Sequence, residues 1–137
     1  MNKWHVLNHT VLFRECDASG HVHNSNYFRW FEDARFVISR QMGLIDAYCE
    51  NEDIYFPVLE SKCKFTVPIK NGTKILIKTK LEPPVVAKLM FTHIVTGERG
   101  SKYAEGTTAI GTVSKTRGLM IGLDERLKEI IAAYLNG

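Results

Sequence analysis

The chain has 137 residues, of which 45% are hydrophobic and 24% are charged, and its formal net charge is +3. This length fits one folded domain over residues 1–137, and the composition excludes a disordered chain, while the charge is too small to predict nucleic acid as a partner. No apolar run approaches the roughly 20 residues of a membrane helix, and the opening MNKWH has no signal-peptide core. We therefore predict a cytoplasmic protein with no membrane span.

The three cysteines do not indicate a cross-linked or metal-stabilised fold. Cys16, Cys49 and Cys63 are odd in number and lack the CxxC spacing. A disulfide framework uses an even set of cysteines, and structural zinc sites use ligands in close pairs. We expect reduced thiols, no metal and no other cofactor.

The N-terminal third predicts one strand followed by one long helix. Alternating apolar residues predict a strand over residues 9–14, and apolar residues at three- and four-residue intervals predict a helix over residues 26–42. Asn24 or Ser25 is the candidate N-cap, and Gly43 can end the helix in a left-handed conformation. A helix of this length, about 25 Å, can cross a whole small sheet.

The rest of the chain is predicted to be mostly β-strand. Strands are predicted at residues 54–65, 73–82, 85–96 and 102–114, with a short helical turn at 44–50 and a terminal helix at 124–135. Pro57 implies an edge strand or a bulge, Asn71-Gly72 is a turn signal, and Pro83-Pro84 ends a strand. One strand, a long helix and several consecutive strands predict an α+β fold in which an antiparallel sheet packs against the helix.

A glycine-containing loop precedes the long helix, with the sequence DASGHVHNSNY over residues 17–27. Its carboxylate, Asp17, is predicted to lie beside a helix N-terminus, where backbone N–H groups are unpaired and carry partial positive charge. Such a site can hold a carbonyl oxygen while the carboxylate attacks the carbonyl group. Asp17 is therefore the leading catalytic candidate.

The loop and the helix carry a recognisable motif. Its positions are Asp17, Gly20, Val22, Asn24, Tyr27, Glu32 and Arg35, and the stretches FPV at 56–58, FTVP at 65–68 and AEGTT at 104–108 extend it over nearly the whole chain. Together these residues resemble the 4-hydroxybenzoyl-CoA thioesterase family of the hot-dog fold. The resemblance implies a long central helix wrapped by a curved antiparallel sheet. It also implies a homodimer or homotetramer with active sites between paired chains.

The same resemblance implies an acyl-CoA thioesterase that needs no cofactor. In this family, Asp17 would act on the thioester carbonyl as a nucleophile or as the base for water, and the Asn24 backbone N–H would polarise that carbonyl. Gly20, Val22 and Tyr27 complete the implied set of oxyanion and substrate contacts. Either role of Asp17 needs an ionised carboxylate, and a helix N-terminus favours that charge state.

The loop residues have other interpretations as well. Cys16, Asp17, His21 and His23 have the chemistry of metal ligands, and Cys16 beside a histidine is a candidate nucleophile. His23 also departs from the family pattern, in which many members carry asparagine. A loop histidine is more often a helix-entry or packing residue than a catalytic one, so His23 is not counted as catalytic.

On the helix, Glu32 and Arg35 are three residues apart and can pair across one turn. A role in subunit contacts or in shaping the pocket is the alternative for this pair. Tyr27 and Trp30 lie on the apolar stripe of the helix, which favours core positions over ligand contact.

Lysines crowd the middle of the sequence. Candidate contacts for the phosphates of CoA are Lys62, Lys64, Lys74, Lys78 and Lys80. Lysines at every second position of a strand are also typical of the solvated face of a half-buried sheet.

Two other functions fit the same residues. One is hydrolysis of acyl groups from acyl-carrier protein, an anionic carrier that the lysines would also suit. The other is a non-catalytic hot-dog module that binds acyl thioesters. Asp17 favours catalysis over simple binding, and neither the length nor the aromaticity of the acyl group can be predicted from the sequence.

Overall fold

The computed structural model describes residues 3–44, 53–85 and 87–137. These residues form the helices α1 (Ser25–Met42) and α2 (Glu125–Asn136) and the strands β1 (Trp4–Thr10), β2 (Ile54–Tyr55), β3 (Val58–Phe65), β4 (Lys74–Leu81), β5 (Lys88–Gly97), β6 (Lys102–Gly111), β7 (Val113–Ser114) and β8 (Leu119–Met120). Five strands form one antiparallel sheet in the order β1-β4-β5-β6-β3. Among the described residues, no helix is long and apolar enough to cross a bilayer.

Helix α1 packs its apolar stripe on the inner face of this sheet. The stripe is fully buried at Phe31, Ala34 and Ile38. Phe31 stacks flat on His93 of β5, with ring centroids 4.1 Å apart. Gly106 of β6 allows this close packing, since a Cβ there would lie 2.3 Å from a strand carbonyl and 2.8 Å from the Phe31 ring. The predicted α+β arrangement is confirmed.

Strand β4 shows why the sequence pattern predicts this sheet well. Ile75, Ile77, Thr79 and Leu81 are buried against the helix, and the intervening residues point to the outer face. Gly72 ends the preceding turn at φ 81°, a left-handed conformation in which glycine carries no Cβ penalty. Gly43 ends α1 in the same way at φ 77°, as predicted.

The first strand lies further toward the N-terminus than predicted. β1 covers residues 4–10 and pairs along its whole length with β4. The predicted strand residues Phe13 and Arg14 instead belong to a 3₁₀ turn over Phe13–Glu15. This turn is stabilised because the Glu15 carboxylate accepts a hydrogen bond from the Leu12 backbone N–H at 2.8 Å, which the strand pattern does not reveal.

Two later predictions also change in the structure. The predicted strand over 102–114 breaks at Thr112, whose hydroxyl donates to the Ile121 carbonyl. Beyond the break, β7 joins β2 and β8 in a second, three-stranded sheet. The predicted helical turn at residues 44–50 lies almost entirely outside the described residues. Helix α2 matches its prediction, and the Asp124 side chain caps it by accepting from the Leu127 N–H at 2.7 Å.

Strand β3 forms one edge of the main sheet. Pro57 precedes it, and a register shift occurs between Val58 and Glu60. The edge strand and the bulge that Pro57 predicted as alternatives are therefore both present. Seven of its eight residues are exposed, and the exposed apolar side chains on or beside it are Val58, Leu59, Phe65 and Val67. An uncovered apolar edge strand is prone to pair with another chain.

Candidate active site

Asp17 begins a tight turn that projects from the end of the sheet. The turn is closed by hydrogen bonds from the Asp17 N–H to the His21 carbonyl at 2.9 Å and from the Gly20 N–H to the Asp17 carbonyl at 3.0 Å. Gly20 adopts φ 83°, which suits glycine. The turn is attached to the core through Val22, whose N–H donates to the Ile69 carbonyl at 2.8 Å.

Ser19 holds the Asp17 carboxylate in its ionised form. The Ser19 hydroxyl and backbone N–H both donate to Asp17 Oδ1, the latter at 2.9 Å. The Ser19 hydroxyl, followed by its N–H, lowers the pKa of Asp17 below its ordinary value. Because the side chain is exposed, it is charged at neutral pH and accessible to a ligand.

The first turn of α1 uses its backbone donors in an unusual way. The His23 ring, at Nδ1, accepts a hydrogen bond from the Ser25 N–H at 3.2 Å and lies 2.8 Å from the Ser25 hydroxyl. The Asn26 N–H donates to the His23 carbonyl, and the Tyr27 N–H to the Asn24 carbonyl. Asn24 occupies the N-cap position but its side chain makes no capping bond. His23 therefore has the helix-entry role that was favoured from the sequence.

This arrangement leaves one donor at the helix entry. None of the residues that the structure describes accepts a hydrogen bond from the Asn24 backbone N–H. An N–H group at a helix N-terminus is well suited to bind a carbonyl oxygen on which negative charge develops.

Glu15 connects the Asp17 turn to the helix entry, a role the sequence analysis missed. Besides Leu12, its side chain accepts hydrogen bonds from Trp30 Nε1 at 2.9 Å and pairs with His9 Nε2 at 2.8 Å. Its backbone carbonyl accepts from the His23 N–H at 2.9 Å and from Asn26 Nδ2 at 2.8 Å. One residue thus fixes the spacing between the Asp17 turn and the start of α1.

Glu15 should stabilise the fold in a pH-dependent manner. Burial acts to raise its pKa, but the hydrogen bonds from Leu12, His9 and Trp30 outweigh burial and lower the pKa below its ordinary value of 4.5. A group with a depressed pKa contributes stability above its unfolded pKa, and this contribution is lost as the pH falls through the folded pKa.

We expect Glu15→Gln to lower the free energy of unfolding at pH 7 by about 2 kcal/mol, because a buried charge-assisted network is broken. The difference from the wild type should shrink as the pH falls below about 4.3, where the unfolded glutamate becomes protonated. Urea unfolding between pH 3 and pH 7 measures both effects. A difference independent of pH would contradict an ionised, hydrogen-bonded Glu15.

Asp17 and the helix entry line one polar groove of about 610 Å³. His23, Ser25 and Asn26 contribute from the helix side, and Arg14 and Arg29 are the cationic residues in its wall. Neither arginine is a candidate phosphate contact from the sequence, because neither belongs to the lysine-rich strands.

An apolar cavity of about 390 Å³ adjoins this groove along α1. Glu32 lines both spaces. Arg35 and Phe36 of the helix lie in the cavity wall opposite β5 and β6 side chains such as Phe91 and Ile110. Glu32 and Arg35 are not within the 4.0 Å of an ion pair, although Glu32 still acts on the Arg35 charge at longer range.

The remaining predicted contact residues lie elsewhere. Val22 and Tyr27 are buried in the core, and Tyr27 packs edge-on against Phe65 at 4.8 Å, so their side chains do not line the groove. Burial raises the pKa of Tyr27 to about 12, and the nearby Cys63 adds to this rise. Tyr27 and Trp30 both belong to the core as expected, although Trp30 also lines the groove.

The five candidate lysines all lie on the outer face of the sheet. Lys62 and Lys64 are on β3, and Lys74, Lys78 and Lys80 are on β4. Strands β5 and β6 separate the two sets by roughly 14 Å, and none of the five lines the groove. Lys62 pairs with Glu60 at 3.4 Å and Lys80 with Glu82 at 3.3 Å.

The cysteine and histidine side chains of the loop are engaged separately. Cys16 Sγ donates to the Leu12 carbonyl at 3.7 Å, and His21 Nδ1 lies 3.1 Å from the Ser19 hydroxyl. Within residues 3–44, 53–85 and 87–137, no group of three or more His, Cys, Asp or Glu side chains could hold a metal ion.

The fold and the groove define a class of protein in which a loop carboxylate and the first turn of a long helix line the same groove. Comparisons with known proteins show the family: the model of the thioesterase-like superfamily matches residues 11–131. The chain therefore belongs to the thioesterase-like superfamily, and its enzyme class is thioester hydrolase.

Individual relatives extend the comparison. The chain is 24% identical over 139 residues to a 1,4-dihydroxy-2-naphthoyl-CoA hydrolase from Prochlorococcus marinus, with 96% of this chain and 91% of that protein covered. A DHNA-CoA thioesterase from Staphylococcus aureus superposes with a TM-score of 0.83 at 22% identity, covering 97% and 89% of the two chains. A hypothetical protein from Staphylococcus aureus in complex with CoA gives a TM-score of 0.88 at 18% identity, covering 99% and 86%. These two structures show the fold, and the predicted hot-dog fold is confirmed.

Proposed function

We propose that the protein hydrolyses acyl-CoA thioesters to the free acid and CoA. The observation that carries this proposal is the position of an ionised Asp17 in a groove that is also lined by His23 and Ser25, the two sequence neighbours of Asn24 and its available N–H. The names of the CoA hydrolase and thioesterase relatives support CoA as the carrier. The decisive assay is release of free thiol from acyl-CoAs with short, long and aromatic acyl groups.

In the proposed reaction, the thioester carbonyl oxygen accepts a hydrogen bond from the Asn24 N–H. Ser19 occupies Asp17 Oδ1, so we assign the chemistry to Oδ2. In one route Oδ2 attacks the carbonyl carbon and expels the CoA thiolate, and water then hydrolyses the resulting anhydride. In the other route Oδ2 takes a proton from a water molecule that attacks the carbonyl carbon directly, and the tetrahedral intermediate then breaks its C–S bond and expels the CoA thiolate. A positioned base supplies about 10²–10⁴ in rate and one oxyanion donor about 10²–10³.

We also propose membership of the 4-hydroxybenzoyl-CoA thioesterase branch and a cytoplasmic location. The sequence motif from Asp17 to Arg35 supports the branch, and the aromatic substrate in the names of the relatives points the same way. Preference for an aromatic acyl-CoA over an aliphatic one of similar size would support this assignment. Equal rates on the aromatic and the aliphatic acyl-CoA would support membership of the superfamily but not of this branch.

The carrier can be tested through its phosphates. The outer-face lysines remain our proposed phosphate contacts, but Arg14 and Arg29 lie in the groove itself and are better placed for a first contact. Charge attraction at an exposed site is screened over about 10 Å at 0.1 M salt.

We therefore expect KM for acyl-CoA to rise with ionic strength while kcat changes little, and an acyl-pantetheine without the nucleotide to lose this dependence. The double variant Arg14→Gln and Arg29→Gln should raise KM more than the matched variant Lys74→Gln and Lys78→Gln.

Equal salt responses of the two substrates would reject the phosphate contacts. A strong preference for acylated carrier protein would favour the alternative thioesterase, and binding without turnover would favour the non-catalytic module.

We propose that the protein is a homodimer, or a pair of dimers, assembled through the edge of β3. This strand is an edge of the main sheet with most of its residues exposed, and it carries the exposed apolar residues Val58, Leu59 and Phe65. Antiparallel pairing of two β3 strands about a two-fold axis would bring the Val58 end of one chain to the Phe65 end of the other. Val58 lines the apolar cavity, whereas Phe65 packs on Tyr27 near the helix entry. Each active site would then lie next to the partner's cavity.

A further inference from the structure

The apolar cavity beside α1 contains one feature that a simple hydrocarbon pocket would not need. Its wall is formed largely by apolar side chains, among them Phe36, Phe56, Leu89 and Phe91. Arg35 lies in the same wall, and its side chain is partly buried. An arginine in such a position requires hydrogen-bond acceptors for its five donors.

Arg35 has few acceptors within the protein. In the part of the chain that the structure describes, its hydrogen bond is to Thr108 Oγ1, at a long 3.4 Å. No carboxylate of the described residues lies within ion-pair distance of Arg35. Burial lowers the pKa of Arg35, and Glu32 partly opposes this shift.

Thr108 is a weak acceptor for Arg35, because its hydroxyl is shared with a second partner. Its hydroxyl also lies 2.8 Å from Nε2 of the fully buried His93, whose Nδ1 is 2.9 Å from the Thr79 hydroxyl. Burial, together with the Arg35 charge, lowers the pKa of His93 to about 3, so this ring is neutral and the network holds no anion. The positive charge of Arg35 is thus not compensated inside the fold by its nearest hydrogen-bonded partners.

The uncompensated charge of Arg35 determines which kind of acyl group can fill the cavity. A plain hydrocarbon chain would displace water from the guanidinium and provide no acceptor in return, which is costly for a charged group. A carboxylate matches the planar fork of arginine with two parallel hydrogen bonds. Lys115 also lines the cavity, so two cations stand against the one carboxylate in its lining, Glu32, and the net local charge favours an anion over a neutral hydroxyl.

We propose that the cavity binds acyl groups that end in a carboxylate, with Arg35 as the residue that selects them. The preferred substrates would be monothioesters of dicarboxylic acids. This inference rests on the proposed thioesterase function and specifies its substrate class. Glu32 lies where groove and cavity meet, about 10 Å along the helix from Ser25, so an acyl chain can extend from the reacting carbonyl into the cavity.

Activity on matched substrates tests the selection directly. At equal chain length, as with adipoyl-CoA and hexanoyl-CoA, we expect the wild type to favour the carboxylate-ended substrate in kcat/KM by about tenfold to a hundredfold. Arg35→Met should remove or reverse this preference, and Arg35→Lys should retain part of it. Arg40→Met is the matched control, because Arg40 is exposed on the same helix and does not line the cavity. A wild-type preference for hexanoyl-CoA, or one unaffected by Arg35→Met, would overturn the proposal.

A binding experiment separates failure of this inference from failure of the proposed function. Calorimetric titration with adipate and hexanoate requires no turnover. We expect adipate to bind more tightly than hexanoate to the wild type and to lose this advantage in Arg35→Met, with folding of the variant checked by circular dichroism. Selective adipate binding without thioesterase activity would uphold the cavity and reject the enzyme mechanism. Turnover of acyl-CoAs with no selective adipate binding would overturn the cavity assignment alone.

Discussion

Replacement of Asp17 by asparagine is expected to lower turnover of acyl-CoA by at least about 10²-fold while the fold stays intact. The side chain is exposed on a loop, so its removal leaves no cavity and breaks no core contact. Asparagine keeps an oxygen that Ser19 can hydrogen-bond, but it removes the negative charge that both proposed routes require. Steady-state kinetics together with circular dichroism measure the two parts of this prediction.

Asp53 provides a matched control for that substitution. Its carboxylate also lies on a loop, half-buried, and accepts hydrogen bonds from the Ser114 hydroxyl and, at 2.8 Å, from the Thr116 N–H. As for Asp17, a serine hydroxyl followed by a backbone N–H lowers the pKa of Asp53. Asp53→Asn should leave kcat nearly unchanged. A folded Asp17→Asn protein with wild-type turnover would exclude Asp17 as nucleophile and as base.

The second large effect is expected at the β3 edge, where Leu59→Glu should separate the proposed dimer and abolish most activity. Leu59 is 42% exposed, so a glutamate there is tolerated by the single chain but would be buried without a partner between two paired chains. Light scattering at micromolar concentration measures the assembly, and thiol release measures the activity of the same sample.

Val6→Glu is the corresponding control, because Val6 is 45% exposed on β1 at the opposite edge of the sheet. This variant should remain assembled and active. If Leu59→Glu were a fully active monomer, each chain would possess a complete site and the interface proposal would fail. A wild-type protein that is already monomeric and active would have the same consequence.

The features predicted best are those determined by local sequence. The apolar stripe of α1 repeats at helical spacing, and the strand β4 alternates strictly from Ile75 to Leu81, so each element buries one face wherever it packs. Turn and cap signals such as Gly43 and Gly72 depend on backbone conformations that glycine favours. These local rules were sufficient for the α+β class, and the motif around Asp17 was sufficient for the hot-dog resemblance.

The features that were missed depend on residues distant in sequence. Trp30 and His9 meet at Glu15 only because the helix packs back over the first strand and its turn. Nothing in the local pattern distinguishes Glu15 from any exposed glutamate, so the residue that connects the Asp17 turn to α1 was overlooked. Likewise, the break at Thr112 depends on a hydrogen bond to Ile121, which directly follows β8 of the second sheet.

The proposed phosphate and acyl contacts illustrate the same division. The sequence by itself determined that lysines alternate along β3 and β4, but strand order decided that β5 and β6 lie between the two sets. It also determined that Arg35 lies three residues from Glu32. Tertiary packing decided that Arg35 lines an apolar cavity instead of forming an ion pair with Glu32. Local periodicity fixes which way a side chain points from its own helix or strand, whereas its partners are set by how distant elements pack, and no short-range pattern encodes that packing.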